Sequence, residues 1–374
     1  MFAKIVEYME SDILKRMRVP CCDLIVMRDH QQLFRHTCGL RSVTENIPLD
    51  KNALFYLYSC TKPITVTAAL RLVEEGKLSL DAPVSDYLPA YHTLFVLENG
   101  ILRPARKPLT IRHLFTMTGG FDYRMRPPET KALLDADPLA GTLDVVNIFA
   151  AKPLCFEPGT RFQYSICHDI LAAVVETVAG KRFSSYLHEI LFDPLGMMDI
   201  TFSPTDGERC KLVEQFDYRN GAVQLTKQTN TFQVTPQYES GGAGLISSLA
   251  DYAKFADVLA CGGTAANGYR FLAPETIALL RTEQLRSFAI DSSFSCVAGP
   301  GYGYGLGVRT RISPEGGRSP VGEFGWDGAG GCYLLVDNTH RLSIVFGMQV
   351  LDWPDCIGNA HSVIRDMVYD ILGI

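Results

Sequence analysis

The chain has 374 residues and a formal net charge of −6, with hydrophobic side chains at 47% and charged side chains at 20%. A chain of this length can bury a large core, either as one elaborate domain or as two domains. Its apolar and charged fractions are those of an ordinary globular protein. The acidic balance argues against a nucleic-acid partner, because binding to a phosphate backbone calls for a basic surface.

Signals for membranes, secretion and metal binding are missing from the sequence. No stretch reaches the roughly 18 apolar residues of a membrane helix, and the N-terminus carries scattered charges where a signal peptide has an apolar core. The 11 cysteines are an odd number without a C-x-x-C pair, which favours reduced thiols in a cytoplasm. Without a cysteine cluster or H-E-x-x-H, we expect no metal ion and no cofactor.

The predicted elements change in type along the chain. Apolar residues recur at helical spacing between residues 2 and 17, which predicts an amphipathic helix. Residues 21–43 then read as two short strands around a polar turn at 28–31. Further helices are predicted from about Ser59 and within residues 109–120, 168–197, 248–263 and 358–374, with strands within residues 301–312 and 330–349.

Strands at both ends and helices between them predict an α+β protein, layered as an α/β sandwich. The simplest architecture is one antiparallel sheet built from both chain ends and flanked by the terminal helices, with a large, mostly helical region inserted. We expect residues 1–374 to form a single unit. In it, 1–55 and 297–374 make a sheet lobe and 56–296 a helical lobe, and a crevice between such lobes is a common ligand site.

The stretch FYLYSCTKPITVTAALRLVEEGKLSL, residues 55–80, contains the first candidate for chemistry. Pro63 is tolerated only in the first turn of a helix, so the helix should begin at about Ser59. Lys62 then lies one turn along the same face, among apolar and small side chains. Desolvation disfavours an ammonium there, and a neutral amine can take the proton of Ser59. The pattern S-x-x-K is therefore a nucleophile with its base.

The same residues also have a purely structural interpretation. Ser59 can be an N-cap, which is a very common role for serine at a helix start. Lys62 can extend its amine to solvent along an apolar surface. The pattern alone does not decide between these alternatives, because S-x-x-K occurs by chance in many chains.

Further segments, which follow in chain order, favour the catalytic interpretation of Ser59 and Lys62. They are FEPGTRFQYS with Tyr164, FDPLGMMDITF, GGAGLISSLADYAKFADVL, and GYGYGLG ahead of Trp326, Asp327 and Gly328. Together with S-x-x-K, these segments make the chain resemble the serine β-lactamase-like family, which includes class C β-lactamases, DD-peptidases and related esterases. The resemblance covers nearly the whole chain.

The resemblance implies a role for each matching residue. Ser59 would be the nucleophile, Lys62 its base, and Tyr164 a partner in proton transfer, its pKa lowered by neighbouring hydrogen bonds. The backbone N–H groups of Ser59 and Ala329 would form an oxyanion hole. Trp326, Asp327 and Gly328 would bind substrate, with Gly328 giving the backbone close access.

Two positions depart from the family pattern. Ile166 stands where the second motif often has asparagine, so an amide contact to substrate is missing. Trp326 stands where the third motif has lysine or histidine, which looks like some esterases and acyltransferases of the family and removes a positive charge. Trp326 can also be a packed aromatic, and Asp327 only a turn residue. His168, four residues after Tyr164, is expected to be structural.

We therefore expect a carboxylesterase that acts on small esters through a covalent acyl-enzyme. One alternative is a β-lactamase or D-amino-acid peptidase that grips a substrate carboxylate with Arg309 or Arg311. Another is a non-catalytic binding module with the same fold. An α/β-hydrolase is disfavoured, because no G-x-S-x-G elbow is present. The expected partner is a small ester, amide or lactam, with no membrane or nucleic acid; the natural acyl group and the oligomeric state stay open.

Overall fold

A computed structural model describes residues 1–125, 128–285, 289–290 and 299–374. The predicted lobe boundary at residues 296 and 297 lies outside the described residues. In the part of the chain that is described, no helix is long and apolar enough to cross a bilayer.

The longest strands lie in the sheet formed by the two chain ends. The strands are β1 (Cys21–Arg28), β2 (Gln31–Ser42), β3 (Ile47–Pro48), β4 (Leu54–Tyr56), β5 (Phe95–Glu98), β6 (Ile101–Pro104), β7 (Arg161–Phe162), β8 (Ile200–Thr201), β9 (Phe216–Arg219), β10 (Ala222–Leu225), β11 (Ile246–Ser248), β12 (Ala289–Ile290), β13 (Tyr302–Tyr304), β14 (Arg309–Arg311), β15 (Phe324–Asp327), β16 (Tyr333–Asp337), β17 (Leu342–Gly347) and β18 (Val350–Leu351).

The helices are concentrated in the middle of the chain and at its two ends. They are α1 (Ala3–Glu7), α2 (Thr61–Glu74), α3 (Ile111–Phe115), α4 (Pro128–Ala136), α5 (Thr142–Phe149), α6 (Cys167–Ala179), α7 (Phe183–Leu187), α8 (Asp193–Leu195), α9 (Asp206–Arg209), α10 (Leu249–Ala260), α11 (Pro274–Leu280) and α12 (Ser362–Leu372). π-Helical segments continue α1 over Tyr8–Arg16, join α7 to α8 over His188–Phe192, and precede α12 over Cys356–His361.

The central sheet has eight strands in the order β13-β14-β15-β16-β17-β1-β2-β3, and every pair in it is antiparallel. The two chain ends meet where β1 pairs with β17, from Asp23 opposite Gly347 to Arg28 opposite Leu342. This confirms the predicted α+β fold with a sheet from both termini. It also confirms the hairpin, although β2 is longer than the short strand that the sequence predicts.

Alternation along the strands gives the sheet two buried faces. Leu24 and Val26 of β1 point into one core, which also contains Ile13 of the N-terminal helix and Val368 of α12. Ile25 points into the other and larger core, with the inserted helices. The terminal helices therefore cover one face, and α2, α6 and α10 lie on the other, as a three-layer arrangement requires.

Candidate active site

Ser59 lies in a tight turn between β4 and the central helix α2. The turn is a 3₁₀ segment, Tyr58–Cys60, and α2 follows at Thr61, so Pro63 falls in the first helical turn as predicted. Tyr58 has φ of 47°, an uncommon conformation for a side chain of this size. Its hydroxyl donates to Gln215, which holds the turn in place. No side chain caps the helix, so the N-cap interpretation of Ser59 is wrong.

Lys62 is completely buried, which rules out the solvent-exposed alternative. Its Nζ lies 3.2 Å from Ser59 Oγ, 2.8 Å from Tyr123 Oη and 2.6 Å from the carbonyl oxygen of Gly242. Burial lowers the pKa of the Lys62 amine to about 7, although the charge of Asp169 acts in the opposite direction. A neutral amine has two hydrogens and one lone pair. With Gly242 and Tyr123 accepting the hydrogens, the lone pair faces the Ser59 hydroxyl.

Tyr164 reaches Ser59 from the segment before α6. Its hydroxyl donates to Ser59 Oγ at 2.7 Å and accepts from Trp326 Nε1 at 3.2 Å. Burial raises the pKa of Tyr164, and the hydrogen bonds with Ser59 and Trp326 offset only part of the rise. The expectation of a lowered pKa is therefore wrong. The phenol is protonated at neutral pH, so Lys62 is the group able to accept a proton and Tyr164 the group able to give one.

Trp326 lies behind this pair of residues and has no exposed surface. Its ring stacks on Tyr164 with the centroids 5.6 Å apart, and Tyr304 packs edge-on against it at 5.3 Å. The sequence predicts that Trp326 binds substrate, but the structure gives its indole N–H to Tyr164 and keeps the ring off the cavity wall. The packed-aromatic interpretation fits the ring, and neither interpretation included the hydrogen bond from the N–H to Tyr164.

The turn after β15 brings Gly328 and Ala329 beside Ser59. Gly328 N donates to the carbonyl of Cys332, and Gly331 N donates to the carbonyl of Gly328, both at 2.8 Å. A Cβ on Gly328 would lie 2.3 Å from the backbone oxygen of Leu57, so only glycine lets this turn approach the Ser59 loop. Gly328 was predicted to give the backbone close access to substrate; the close approach that the structure shows is to the backbone at Leu57, two residues before Ser59.

A cavity of about 580 Å³ opens onto Ser59 and Tyr164. One wall is the turn of Gly328 and Ala329, and the other is the segment from Asp352 to Ile357 together with His361. Sequence reasoning did not find this second wall, because it has neither helical nor strand periodicity. The apolar pair Trp353–Pro354 was the available signal, since hydrophobic and aromatic side chains line most ligand pockets.

Asp327 is more than a turn residue. It ends β15, and its carboxylate accepts from His361 Nδ1 at 2.7 Å and from Arg309 Nη1. Arg309 also donates to the carbonyl of Leu334, and Arg311 Nη2 donates to the carbonyls of residues 314, 315 and 317. Both guanidinium groups are buried and engaged. Neither is available to grip a substrate carboxylate, and the described residues of the cavity wall include no lysine or arginine.

Two groups around Lys62 were not among the predicted site residues. Tyr123 follows the Gly119–Gly120 pair, and its ring lies 5.4 Å from that of Tyr164. Gly242 is held by Asp169, whose carboxylate accepts from Ser240 Oγ at 2.6 Å and from Gly242 N at 3.4 Å. The glycine-rich segment ESGGAG was the signal for this contact, but it carries no motif that names its partner.

Two further positions agree with their predicted structural roles. His168 is buried, its Nε2 lies 3.2 Å from the carbonyl of Phe115, and burial lowers its pKa to about 3, so the ring is neutral. Ile166, at the position where asparagine is common, is fully buried and offers no polar group to the cavity.

The family described as Beta-lactamase matches residues 4–361 of the chain. Esterase EstB of Burkholderia gladioli is 28% identical over 386 residues, covering 95% of this chain and 92% of that protein. Lovastatin esterase of Penicillium rubens is 29% identical over 321 residues, covering 83% and 76%. Among solved structures, EstCE1, described as a hydrolase with promiscuous acyltransferase activity, superposes with a TM-score of 0.81 at 25% identity over 98% of both chains.

Proposed function

The chain belongs to the beta-lactamase family, and from this premise we propose that it is a carboxylesterase that carries the acyl group of a small ester on Ser59. The family makes the protein a serine hydrolase in general terms. Two relatives are named as esterases, which supports the choice of ester over lactam, and a structural neighbour described as a hydrolase is consistent with either substrate.

One observation carries the proposal: a buried lysine amine with a pKa of about 7 contacts the hydroxyl of Ser59. At neutral pH, a large share of this amine is uncharged and able to accept a proton. An ordinary lysine, with a pKa near 10.4, is almost entirely protonated there. A serine hydroxyl beside such a base is the arrangement that nucleophilic catalysis needs.

In the acylation step, Ser59 Oγ attacks the ester carbonyl while its proton passes to Lys62. The N–H groups of Ser59 and Ala329 stabilise the negative charge that forms on the carbonyl oxygen. When the C–O bond to the alcohol breaks, Tyr164 gives its proton to the leaving oxygen. The Trp326 N–H stabilises the phenolate as it forms, and the Lys62 ammonium, whose pKa is about 7, then gives its proton to the phenolate, because burial raises the pKa of Tyr164. Lys62 Nζ lies 4.7 Å from the centre of the Tyr164 ring, so the two charges are close.

Deacylation uses the same proton movements. Water attacks the acyl carbon and gives a proton to Lys62. As the tetrahedral intermediate collapses, Ser59 Oγ leaves and takes a proton from Tyr164, which regains one from Lys62. Both residues return to their starting protonation states, so no outside acid or base is required.

The cavity wall supports an uncharged substrate. Asp327 and Asp352 place carboxylates on it, and no lysine or arginine is present among its described residues. A β-lactam or peptide that carries a carboxylate would meet no lysine or arginine there, and the imidazole of His361, which also lines the described wall, is already paired with Asp327. Hydrolysis of a neutral ester has no such requirement.

The test compares p-nitrophenyl acetate and butyrate with nitrocefin, alongside intact-mass analysis after a fluorophosphonate probe. We expect turnover of both esters, little turnover of nitrocefin, and one adduct on the wild type. Ser59→Ala should lose both the adduct and the activity, whereas Ser203→Ala, at an exposed serine, should keep them. Robust lactam turnover without ester turnover would replace this proposal with a β-lactamase, and no adduct at all would leave a binding module.

A further inference from the structure

A second group of chemically active side chains lies on the wall of the Ser59 cavity. Cys356 and His361 are the first and last residues of a π-helical turn, so both side chains lie on one face of it. Cys356 Sγ lies 3.3 Å from His361 Nε2, and His361 Nδ1 lies 2.7 Å from Asp327 Oδ1. Sulfur, imidazole and carboxylate therefore stand in the order of a nucleophile, its base and the group that orients the base.

The contacts of His361 determine its protonation. Nδ1 faces the Asp327 carboxylate, which also accepts from Arg309, and Nε2 lies 3.0 Å from the carbonyl of Gly331. Both of these partners can only accept, so both ring nitrogens carry hydrogen and the ring is an imidazolium. Burial alone would lower the pKa of His361, but the Cys356 sulfur and the Asp327 carboxylate together raise it to about 10.

The position of Cys356 beside this cation favours a reactive sulfur. A cation beside a cysteine favours the thiolate, which is the nucleophilic form. Cys356 is half-buried and free of any disulfide, and it lines the cavity together with Ser59. Trp353, Pro354 and Ile357 give the surrounding wall apolar surface, and Asp352 adds a carboxylate that repels anions. An uncharged electrophile fits this environment best.

We propose that Cys356 is a second nucleophile of the cavity, which small uncharged α,β-unsaturated carbonyl compounds alkylate through its thiolate form, and that this alkylation closes the cavity to substrate. The sulfur bonds to the β-carbon, and the electron pair of the C=C bond moves onto the α-carbon as an enolate. The enolate takes the Nε2 proton of His361, and water returns a proton to the ring. The alkylation stands independently of the ester activity, and only the inhibition rests on the proposed function.

The first experiment measures which cysteine reacts. The protein is treated at pH 7 with one equivalent of N-ethylmaleimide, and the labelled peptides are quantified by mass spectrometry over time. Cys155 and Cys210 are matched controls, since both are free and more exposed. An ordinary thiol is only a few per cent thiolate at this pH, so we expect Cys356 to react about tenfold faster than either control. Equal or faster labelling of Cys155 and Cys210 would overturn the proposal.

Two comparisons test the cause of the reactivity. A maleimide that carries a carboxylate should label Cys356 several-fold more slowly than N-ethylmaleimide, with little change at Cys210; this comparison needs no variant. His361→Gln should slow labelling of Cys356 to the rate of the control cysteines, with folding checked by circular dichroism. Undiminished labelling in a folded His361→Gln protein would show that the imidazolium does not activate the sulfur.

The second experiment measures closure of the cavity. Ester hydrolysis by each protein is followed during N-ethylmaleimide treatment, relative to its own untreated sample. The wild type and Cys210→Ser should lose activity in parallel with labelling of Cys356, and Cys356→Ser should keep most of its starting activity. Loss of activity in Cys356→Ser at the wild-type rate would refute the closure. If no ester is hydrolysed at all, the proposed function fails while the labelling experiment still decides the alkylation.

Discussion

Lys62 should determine how the activity depends on pH. Burial lowers the pKa of its amine to about 7, and only the neutral form can take the Ser59 proton. The value of kcat/KM for p-nitrophenyl acetate should therefore rise with pH through a midpoint near 7 and level off above it. The measurement is a rate profile from pH 5.5 to 9, corrected for spontaneous hydrolysis. A profile that is flat over this range, or one still rising at pH 9, would contradict the assignment of Lys62 as the base.

Trp326 should influence the rate without influencing substrate binding. Tyr164→Phe removes the proton donor and should lower kcat by roughly 10²–10⁴-fold. Trp326→Phe keeps an aromatic ring against Tyr164 but removes the N–H that stabilises the phenolate, so kcat should fall about tenfold, equivalent to one hydrogen bond of about 1–1.5 kcal/mol.

The division between kcat and KM makes the Trp326 result decisive. The indole has no exposed surface, so KM should change little in Trp326→Phe. If KM rises tenfold while kcat stays constant, the indole contacts substrate as the sequence predicts, and the role assigned to its N–H is incorrect.

At the residue scale, motifs locate the reacting groups but not their partners. Ser59 and Lys62 share one helix turn, so their proximity follows from spacing alone. Lys62 meets Tyr123 from 61 residues away and Gly242 from 180 residues away, and no local pattern encodes such contacts. The pKa of Tyr164 was predicted in the wrong direction for a related reason, because the sequence shows hydrogen-bonding partners but not the depth of burial.

At the scale of elements, the turn after β15 can lie against the Ser59 loop because Gly328 has no side chain. In Gly328→Ala, the new Cβ would lie 2.3 Å from the backbone oxygen of Leu57, which cannot swing away as a flexible side chain would. The turn must move, and Ala329 N–H with it. Displacing one oxyanion donor costs about 2.7–4 kcal/mol, so kcat/KM should fall roughly 10²–10³-fold.

A matched control separates this displacement from a general effect of alanine. Gly207 lies in α9 with open space around its Cβ position, so Gly207→Ala should leave kcat/KM unchanged and stability within about 0.5 kcal/mol. Both variants are measured by steady-state kinetics and thermal melting. Full activity in Gly328→Ala would mean that the turn does not position an oxyanion donor.

Elements with clear periodicity are predictable in this chain, and those without it are not. The hairpin at residues 28–31 and the helix from Ser59 follow from alternation and from the position of Pro63. The wall from Asp352 to Ile357 does not, because it follows the short strand β18 through a residue with φ of 54° at Asp352 and enters a π-helical turn. The π-helical turn presents Cys356 and His361 together, at a separation of five residues that a search for α-helical spacing passes over.

On the scale of the whole molecule, the sheet separates two hydrophobic cores. The larger core contains Trp326 and the helices that carry Ser59 and Lys62. The second core joins the two chain ends through Ile5, Met9 and Ile13 on one side and Ile364 and Val368 on the other. Helical residues from the first and last parts of the chain thus cover the sheet where β1 pairs with β17. This agrees with the prediction of a sheet built from both chain ends and flanked by the terminal helices.

Damage to the second core should therefore affect stability more than catalysis. Ile13 is fully buried in that core, so Ile13→Ala should lower the free energy of unfolding by about 2–4 kcal/mol through lost burial and the cavity left behind. Met198 is 78% exposed, and Met198→Ala should stay within about 0.5 kcal/mol. Urea denaturation followed by circular dichroism gives these values, with kcat/KM measured well below the unfolding transition. Because the sheet lies between Ile13 and the Ser59 helix, the folded fraction of Ile13→Ala should hydrolyse ester at the wild-type rate, and a parallel fall in kcat/KM would mean that the two cores transmit strain through the sheet.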